Sequence, residues 1–323
     1  MRLLVYVLSF LVVTVFGYMA ASYFLPQRVS NLLLTGLYWA SGVEKKQLQT
    51  AIGPINYLEG GSVKNSGETI VFVHGLFARK ETWLHMASAF SSKYHIVLID
   101  LPGFGDNPLL PDTEYTYQNQ LKNLTVVLDR LNVEQAHIAA SSMGGQLAGM
   151  LAVQQPARVL SLAFIGSPAG VPTPQPSDAE NYLKQTGNWP ILAGNQAQYK
   201  ARNDFLLYKE PFTPAAIENT WMALELNRAD NHKRILELVA SQFTEEKPLL
   251  QIAGDIKQPV HIQWCQQDRI FHPSGAKLLN DALPRSQLIM LQECGHLPML
   301  DKAEDSAASY MGFLANLKNT THK

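Results

Sequence analysis

Three side chains of the types that carry acyl transfer stand just after short apolar runs: Ser142, Asp268 and His296. The first lies in Ala139-Ala140-Ser141-Ser142-Met143-Gly144-Gly145, between a strand-like run and a helix-like one. A strand–turn–helix elbow lifts a serine to its apex, and its tightness demands small residues two before and two after. Ser142 has Ala140 and Gly144 there, whereas Ser141 would have Met143, so Ser142 is the candidate nucleophile. Ala takes the first position of the G-x-S-x-G pattern and keeps it small. Taken alone, the segment also reads as an ordinary strand–turn–helix with polar residues.

A serine hydroxyl is a poor nucleophile at neutral pH and needs a base, itself oriented by an acid. For an elbow serine the chain order is serine, acid, histidine. Trp264-Cys265-Gln266-Gln267-Asp268 places a carboxylate just after one strand-like run, and Glu293-Cys294-Gly295-His296 places an imidazole just after the next. Alone, each would read as a loop residue; together with Ser142 they converge on one edge of a parallel sheet. Asp301 and Glu293 are the alternative acids, on the wrong side of the last strand or beyond the histidine. Acyl transfer also needs donors for a developing oxyanion. The backbone amides of Leu76, after His74-Gly75, and of Met143, at a helix start, are the candidates. His74 reads as a loop-shaping residue. The turn Asp100-Leu101-Pro102-Gly103-Phe104-Gly105-Asp106 reads as structural, and no G-x-x-x-x-G-K phosphate loop occurs. The nine His include no H-x-x-x-H or H-E-x-x-H pair, so no metal and no cofactor is expected.

These loops require a scaffold. Runs at 69–74, 96–100, 136–141, 159–166, 260–264 and 288–292 are short and rich in Val, Ile, Leu or Phe, as buried strands are. Helical periodicity fills 115–131, 143–154, 274–283 and 303–317. Strands separated by helices predict an α/β protein with a mostly parallel sheet covered on both faces. The alternation breaks over 171–254, which opens on Pro172, Pro174 and Pro176 and contains a helical pattern over 215–243. That stretch is expected to be a helical cap or lid, inserted in a core of residues 44–170 and 255–323. Its Trp189, Phe205, Tyr208, Phe212 and Trp221 read mostly as cap core, some as lining for an acyl groove.

Composition narrows the function. The 323 residues carry a net charge of -1, with 46% hydrophobic and 16% charged, which excludes a disordered chain and a basic nucleic-acid binder. Of the 53 charged side chains, 51 lie in residues 44–323. Residues 3–25 hold none, enough for a helix of about 35 Å against a bilayer core of about 30 Å. Residues 1–43 are therefore expected to be a membrane anchor: a single-pass transmembrane helix ended by Pro26, then an interfacial or domain-packed helix over 29–39. The rival is a signal peptide cleaved on secretion, disfavoured because the apolar stretch exceeds the usual one. Arg2 flanks one side and Arg28, Lys45 and Lys46 the other, so orientation stays open. The two cysteines, Cys265 and Cys294, follow adjacent strands; the favoured reading is two buried free thiols, the other a disulfide.

The quoted motifs resemble the α/β-hydrolase superfamily. Within it, Ser142-Met143-Gly144-Gly145-Gln146, Pro168-Ala169-Gly170 and the N-terminal anchor resemble the membrane-anchored monoacylglycerol lipase branch and related bacterial lipases. The resemblance runs from about residue 56 to 313 and departs at Cys265, where relatives usually have Gly. It implies Ser142 as nucleophile, His296 as base, Asp268 as acid, and the Leu76 and Met143 amides as oxyanion hole. It implies a serine lipase or carboxylesterase whose partners are a lipid ester and the membrane, not nucleic acid. The rivals are a C–C bond hydrolase of diketone ring-cleavage products and a non-catalytic binding protein on the same fold.

Overall fold

The computed structural model describes residues 2–61, 67–242 and 248–321; the end of the helical pattern at Phe243 lies outside them. Eight strands form one sheet: β1 (Val43–Thr50), β2 (Gly53–Gly60), β3 (Thr69–Val73), β4 (His95–Ile99), β5 (Ala136–Ser142), β6 (Val159–Pro168), β7 (Val260–Cys265) and β8 (Ser286–Leu291). Their order is β1-β2-β4-β3-β5-β6-β7-β8. Strands β3 to β8 run parallel, while β2 is antiparallel to both β1 and β4.

The apolar runs become central strands because both faces of the sheet are covered. Along β3, Val71 and Val73 enter one core with Ile138, Phe164 and Trp264, while Ile70 and Phe72 enter the other with Leu98, Ala163 and Ile165. Period-two alternation with apolar residues on both sides gives a continuous apolar run. The Met143–Gln154 helix is buried from Met143 through Ala152, so it packs all round.

The β1–β2 hairpin was not expected. Most of β1 is exposed and its Glu44-Lys45-Lys46-Gln47 carries no apolar run. Charges of this kind protect an edge strand from pairing with another chain. Lys45 and Lys46 are spent on ion pairs with Asp106 and Glu59, each 2.6 Å.

At the N-terminus, helix α1 (Arg2–Phe24) is followed by helix α2 (Pro26–Ala40). Pro26 stops the first and opens the second, since a first-turn proline forfeits no helical hydrogen bond. The expected helix forms, but the expected crossing is not shown: among the described residues no helix is long and apolar enough to cross a membrane. Described α1 side chains such as Tyr6, Phe16, Met19 and Tyr23 are exposed. Helix α2 buries Ser30, Leu34 and Tyr38 and packs against the Ala215–Asn227 helix.

Between β6 and β7 the chain forms the helices Asp178–Thr186, Gln196–Leu206, Ala215–Asn227 and Ala229–Gln242. Their starts are set locally. Ser177 and Glu180 make a reciprocal capping box, and Asn195 accepts the amide of Gln198. The chain returns to the sheet where Gln146 Oε1 accepts the Leu249 amide at 2.6 Å.

Candidate active site

Parallel strands deliver their following loops to one edge, and the candidate residues collect there. Ser142 ends β5 at φ 53° and ψ -124°, directly before the Met143–Gln154 helix. A positive φ at a non-glycine residue costs of the order of 1–3 kcal/mol and persists only where its surroundings enforce it. The small neighbours are needed for that turn. A Cβ at Gly144 would sit 2.5 Å from the His74 carbonyl oxygen, and one at Gly75 would sit 2.8 Å from the Ser142 Cβ. Ser141 is buried and Ser142 half-buried.

The loop after β3 is held by groups from beneath. His74 Nε2 accepts the Leu101 amide at 3.0 Å, so Nδ1 carries the proton and donates to the Gly75 carbonyl at 2.7 Å. Burial lowers the His74 pKa and keeps the ring neutral. Further along, Lys80 is fully buried, with its ammonium 2.8 Å from Asp100, 2.8 Å from Asp106 and 2.9 Å from Glu81. Burial alone would lower the Lys80 pKa, but these three carboxylates outweigh it and raise the pKa well above normal. The Tyr38 hydroxyl of α2 donates to the same Glu81. In the sequence Asp100 reads as a turn residue and Lys80 as a solvated lysine, so this charge cluster has no local signature.

After β7 and β8, Asp268 and His296 come together. His296 Nδ1 lies 3.1 Å from Asp268 Oδ2, and both side chains are buried. Asp268 Oδ1 accepts the amides of Ile270 at 2.8 Å and Phe271 at 3.1 Å. The alternative acids lie elsewhere. Asp301 accepts the amides of Gly295, Tyr208 and Lys209, tying the histidine loop to the chain above it. Glu293 pairs with Lys302 in the solvent.

Cys265 and Cys294 form a disulfide with a Cα–Cα distance of 5.4 Å, correcting the reading as free thiols. The reason is the turn after β8. Glu293 takes φ 56°, and the chain doubles back so that Cys294 meets the last residue of β7. The bond joins the acid loop to the base loop three residues before Asp268 and two before His296.

The alpha/beta hydrolase fold profile matches residues 68–303, most of the chain and every loop just described. The chain belongs to the α/β-hydrolase fold family. This hydrolase is 26% identical over 280 residues to Lipase 1 of Psychrobacter immobilis, covering 86% of each chain. It is 25% identical over 261 residues to human monoacylglycerol lipase ABHD6, covering 78% of this chain and 77% of that one. Among solved structures, a membrane phospholipase A superposes with TM-score 0.85 at 28% identity, covering 99% of this chain and 100% of that one. The enzyme is a lipase-like α/β hydrolase.

Two cavities of the hydrolase meet at Ser142, Leu76, Ile191 and Ile270. The first, of about 200 Å³, also reaches His296 and carries Arg79, Thr82, Asn203 and Glu218 on its walls. The second, of about 490 Å³, is walled by Met143, Val171, Trp189, Val239 and Phe271, with Glu180 its only charged lining among the described residues. Trp189 thus lines a cavity. Phe212 and Tyr208 are not cap core: they are 90% and 55% exposed. Trp221 lies under the Arg79 guanidinium at 4.8 Å and Phe205 under that of Arg269 at 4.2 Å.

Proposed function

We propose that the protein is a membrane-attached serine hydrolase of acylglycerols or similar lipid carboxylic esters. The observation that carries it is the pair of unlike cavities meeting at one strained serine. The larger one suits an acyl chain, and the smaller one, whose mostly apolar wall also carries Arg79, Asn203 and Glu218, suits the alcohol part of the ester. The mechanism uses Ser142 as nucleophile, His296 as general base and Asp268 as the acid that fixes the imidazole. His296 takes the Ser142 proton through Nε2 while Nδ1–H stays on Asp268. The oxyanion then points to the Leu76 and Met143 amides, the second at a helix N-terminus whose dipole favours negative charge. The alkoxide leaves with the proton from His296, and water repeats the sequence on the acyl-enzyme. Residues 171–254 act as the cap that shapes the acyl cavity.

Membrane attachment is assigned to residues 1–43. In support, α1 has no charge after Arg2, its Tyr6, Phe16, Met19 and Tyr23 are exposed, and Leu32 and Trp39 of α2 are exposed as well. The disulfide supports a catalytic domain on the oxidising side of that membrane.

The test is Ser142→Ala, assayed on esters from acetate to long-chain monoacylglycerols and with a fluorophosphonate probe. Loss of activity by about 10⁴-fold or more, with loss of labelling, is expected. Retained ester hydrolysis by folded Ser142→Ala overturns the mechanism.

A further inference from the structure

We infer that Ser167 is a positioning residue that locks the Asp268–His296 pair, an assignment that rests on the reading of Ser142, His296 and Asp268 as the hydrolytic machinery. Ser167 is the next-to-last residue of β6, outside every motif quoted from the sequence, and is fully buried. Its Oγ lies 2.5 Å from Asp268 Oδ2 and 3.0 Å from His296 Nδ1. The proton count assigns the roles. A carboxylate can only accept, so the Ser167 hydroxyl donates to Asp268. That hydroxyl has then spent its only proton, so at His296 it can only accept, and Nδ1 must carry a hydrogen. The Nδ1–H is shared between Ser167 Oγ and Asp268 Oδ2, and the Nε2 lone pair is left for the Ser142 proton.

The same bonds complete the carboxylate. Asp268 accepts two amides on Oδ1, and on Oδ2 the Ser167 hydroxyl and the His296 ring. That fills the roughly four acceptor positions of a carboxylate. Without Ser167, one position would be buried and empty, and the carboxylate would be held on the histidine side by a single bond.

The backbone around Ser167 grips the rest of the site. A Cβ at Gly166, where φ is 81°, would lie 2.5 Å from the His296 carbonyl oxygen, so this strand end lies directly against the histidine loop. Pro168 pairs with Ser142 in the β5–β6 register, and the Ala169 amide donates to the Ser142 carbonyl at 2.9 Å. Residues 166–169 therefore touch the nucleophile, the acid and the base, and Ser167 supplies the side chain that converts this contact into orientation. An imidazole free to change tautomer or rotate lowers the rate at saturation without weakening substrate binding.

The experiment compares Ser167→Ala with Ser167→Thr, which keeps the hydroxyl. Steady-state kinetics on a p-nitrophenyl ester are measured beside thermal midpoints and fluorophosphonate labelling. Ser167→Ala is expected to lower kcat about tenfold with KM within twofold of the parent, and to be labelled fully but more slowly. Ser167→Thr is expected to recover most of kcat. The assignment is overturned if Ser167→Ala keeps the parent kcat, if its loss lies in KM, or if folded Ser167→Thr is as slow as Ser167→Ala. Should Ser167→Ala not fold, Ser167→Thr decides: a kcat near the parent's supports the assignment and a tenfold loss refutes it. Ser142→Ala separates the two claims, because retained activity there defeats the underlying mechanism whatever Ser167 does.

Discussion

The junction of β7 and β8 and the helices between β6 and β7 face the same serine but are built differently. At the junction, Asp268 and His296 are buried, a disulfide joins their loops, and every oxygen of the carboxylate has partners. In the helices above, the Asp178–Thr186 helix buries only Ala179 and the Gln196–Leu206 helix only Tyr199. These two are organised by polar caps and by a few anchors such as Asp301, whereas the Ala229–Gln242 helix sends Ile235 and Val239 into the main core. The difference fits the proposed roles of a proton relay and a wall for an acyl chain. A proton relay fails when displaced by about an ångström. A wall for apolar chains need only exclude water and can yield to admit substrate.

Three experiments strain this contrast. The largest effect is expected from Asp268→Asn, which keeps the shape but removes the charge and disturbs the Nδ1–H tautomer. A kcat loss of about 10³–10⁴-fold is expected in protein that still unfolds cooperatively. A loss below tenfold would show that the junction's chemistry does not depend on this carboxylate.

Next is the disulfide. Replacing both Cys265 and Cys294 by Ser opens a loop spanning 29 residues, worth about 3–4 kcal/mol of stability by chain entropy. The thermal midpoint should fall, and kcat with it, since the two loops lose their covalent spacing. If neither moves, the junction is no stiffer than the helices above it.

The smallest effect is expected from acid on the Ala229–Gln242 helix. His232 stacks on Phe77 at 4.2 Å, and burial lowers its pKa to about 4 despite Glu225 at 3.5 Å. Arg228 and Arg202 also oppose its charge. An unfolded histidine titrates near 6.5, so the opened state binds more protons between about pH 6.5 and about 4. Stability from this contact is thus full at neutral pH and falls as the pH drops through that window. Hydrogen exchange in the Ala229–Gln242 helix should rise as the pH falls from about 6.5 to about 4, after correction for the intrinsic rate, and His232→Gln should flatten the trend. An equal rise at β7 and β8 would erase the contrast.

Much of the scaffold was legible because its physics is local. Each parallel strand is buried on both faces and reads as an apolar run, and the runs at 69–74, 136–141 and 260–264 match β3, β5 and β7 within a residue or so. The β1–β2 hairpin was not legible, because β1 is stabilised by pairing and edge charges rather than by its own pattern. The candidate nucleophile, acid and base were legible because an elbow demands small flanking residues and strand ends demand loops. Ser167 was not: a serine in Gly166-Ser167-Pro168 has no local signature, and its partners lie 101 and 129 residues away.

By itself, the sequence determined the order of the six parallel strands and the helices between them, the small residues that permit a strained Ser142, and a first helix uncharged after Arg2. Those depend on residue type and near neighbours, which period and spacing record directly. Tertiary structure alone decided that Cys265 meets Cys294, that Lys80 is buried among three carboxylates, and that Ser167 stands between the acid and the base. Each depends on distance between segments far apart in the chain. That distance is set by the sheet's strand order and the turns at its edge.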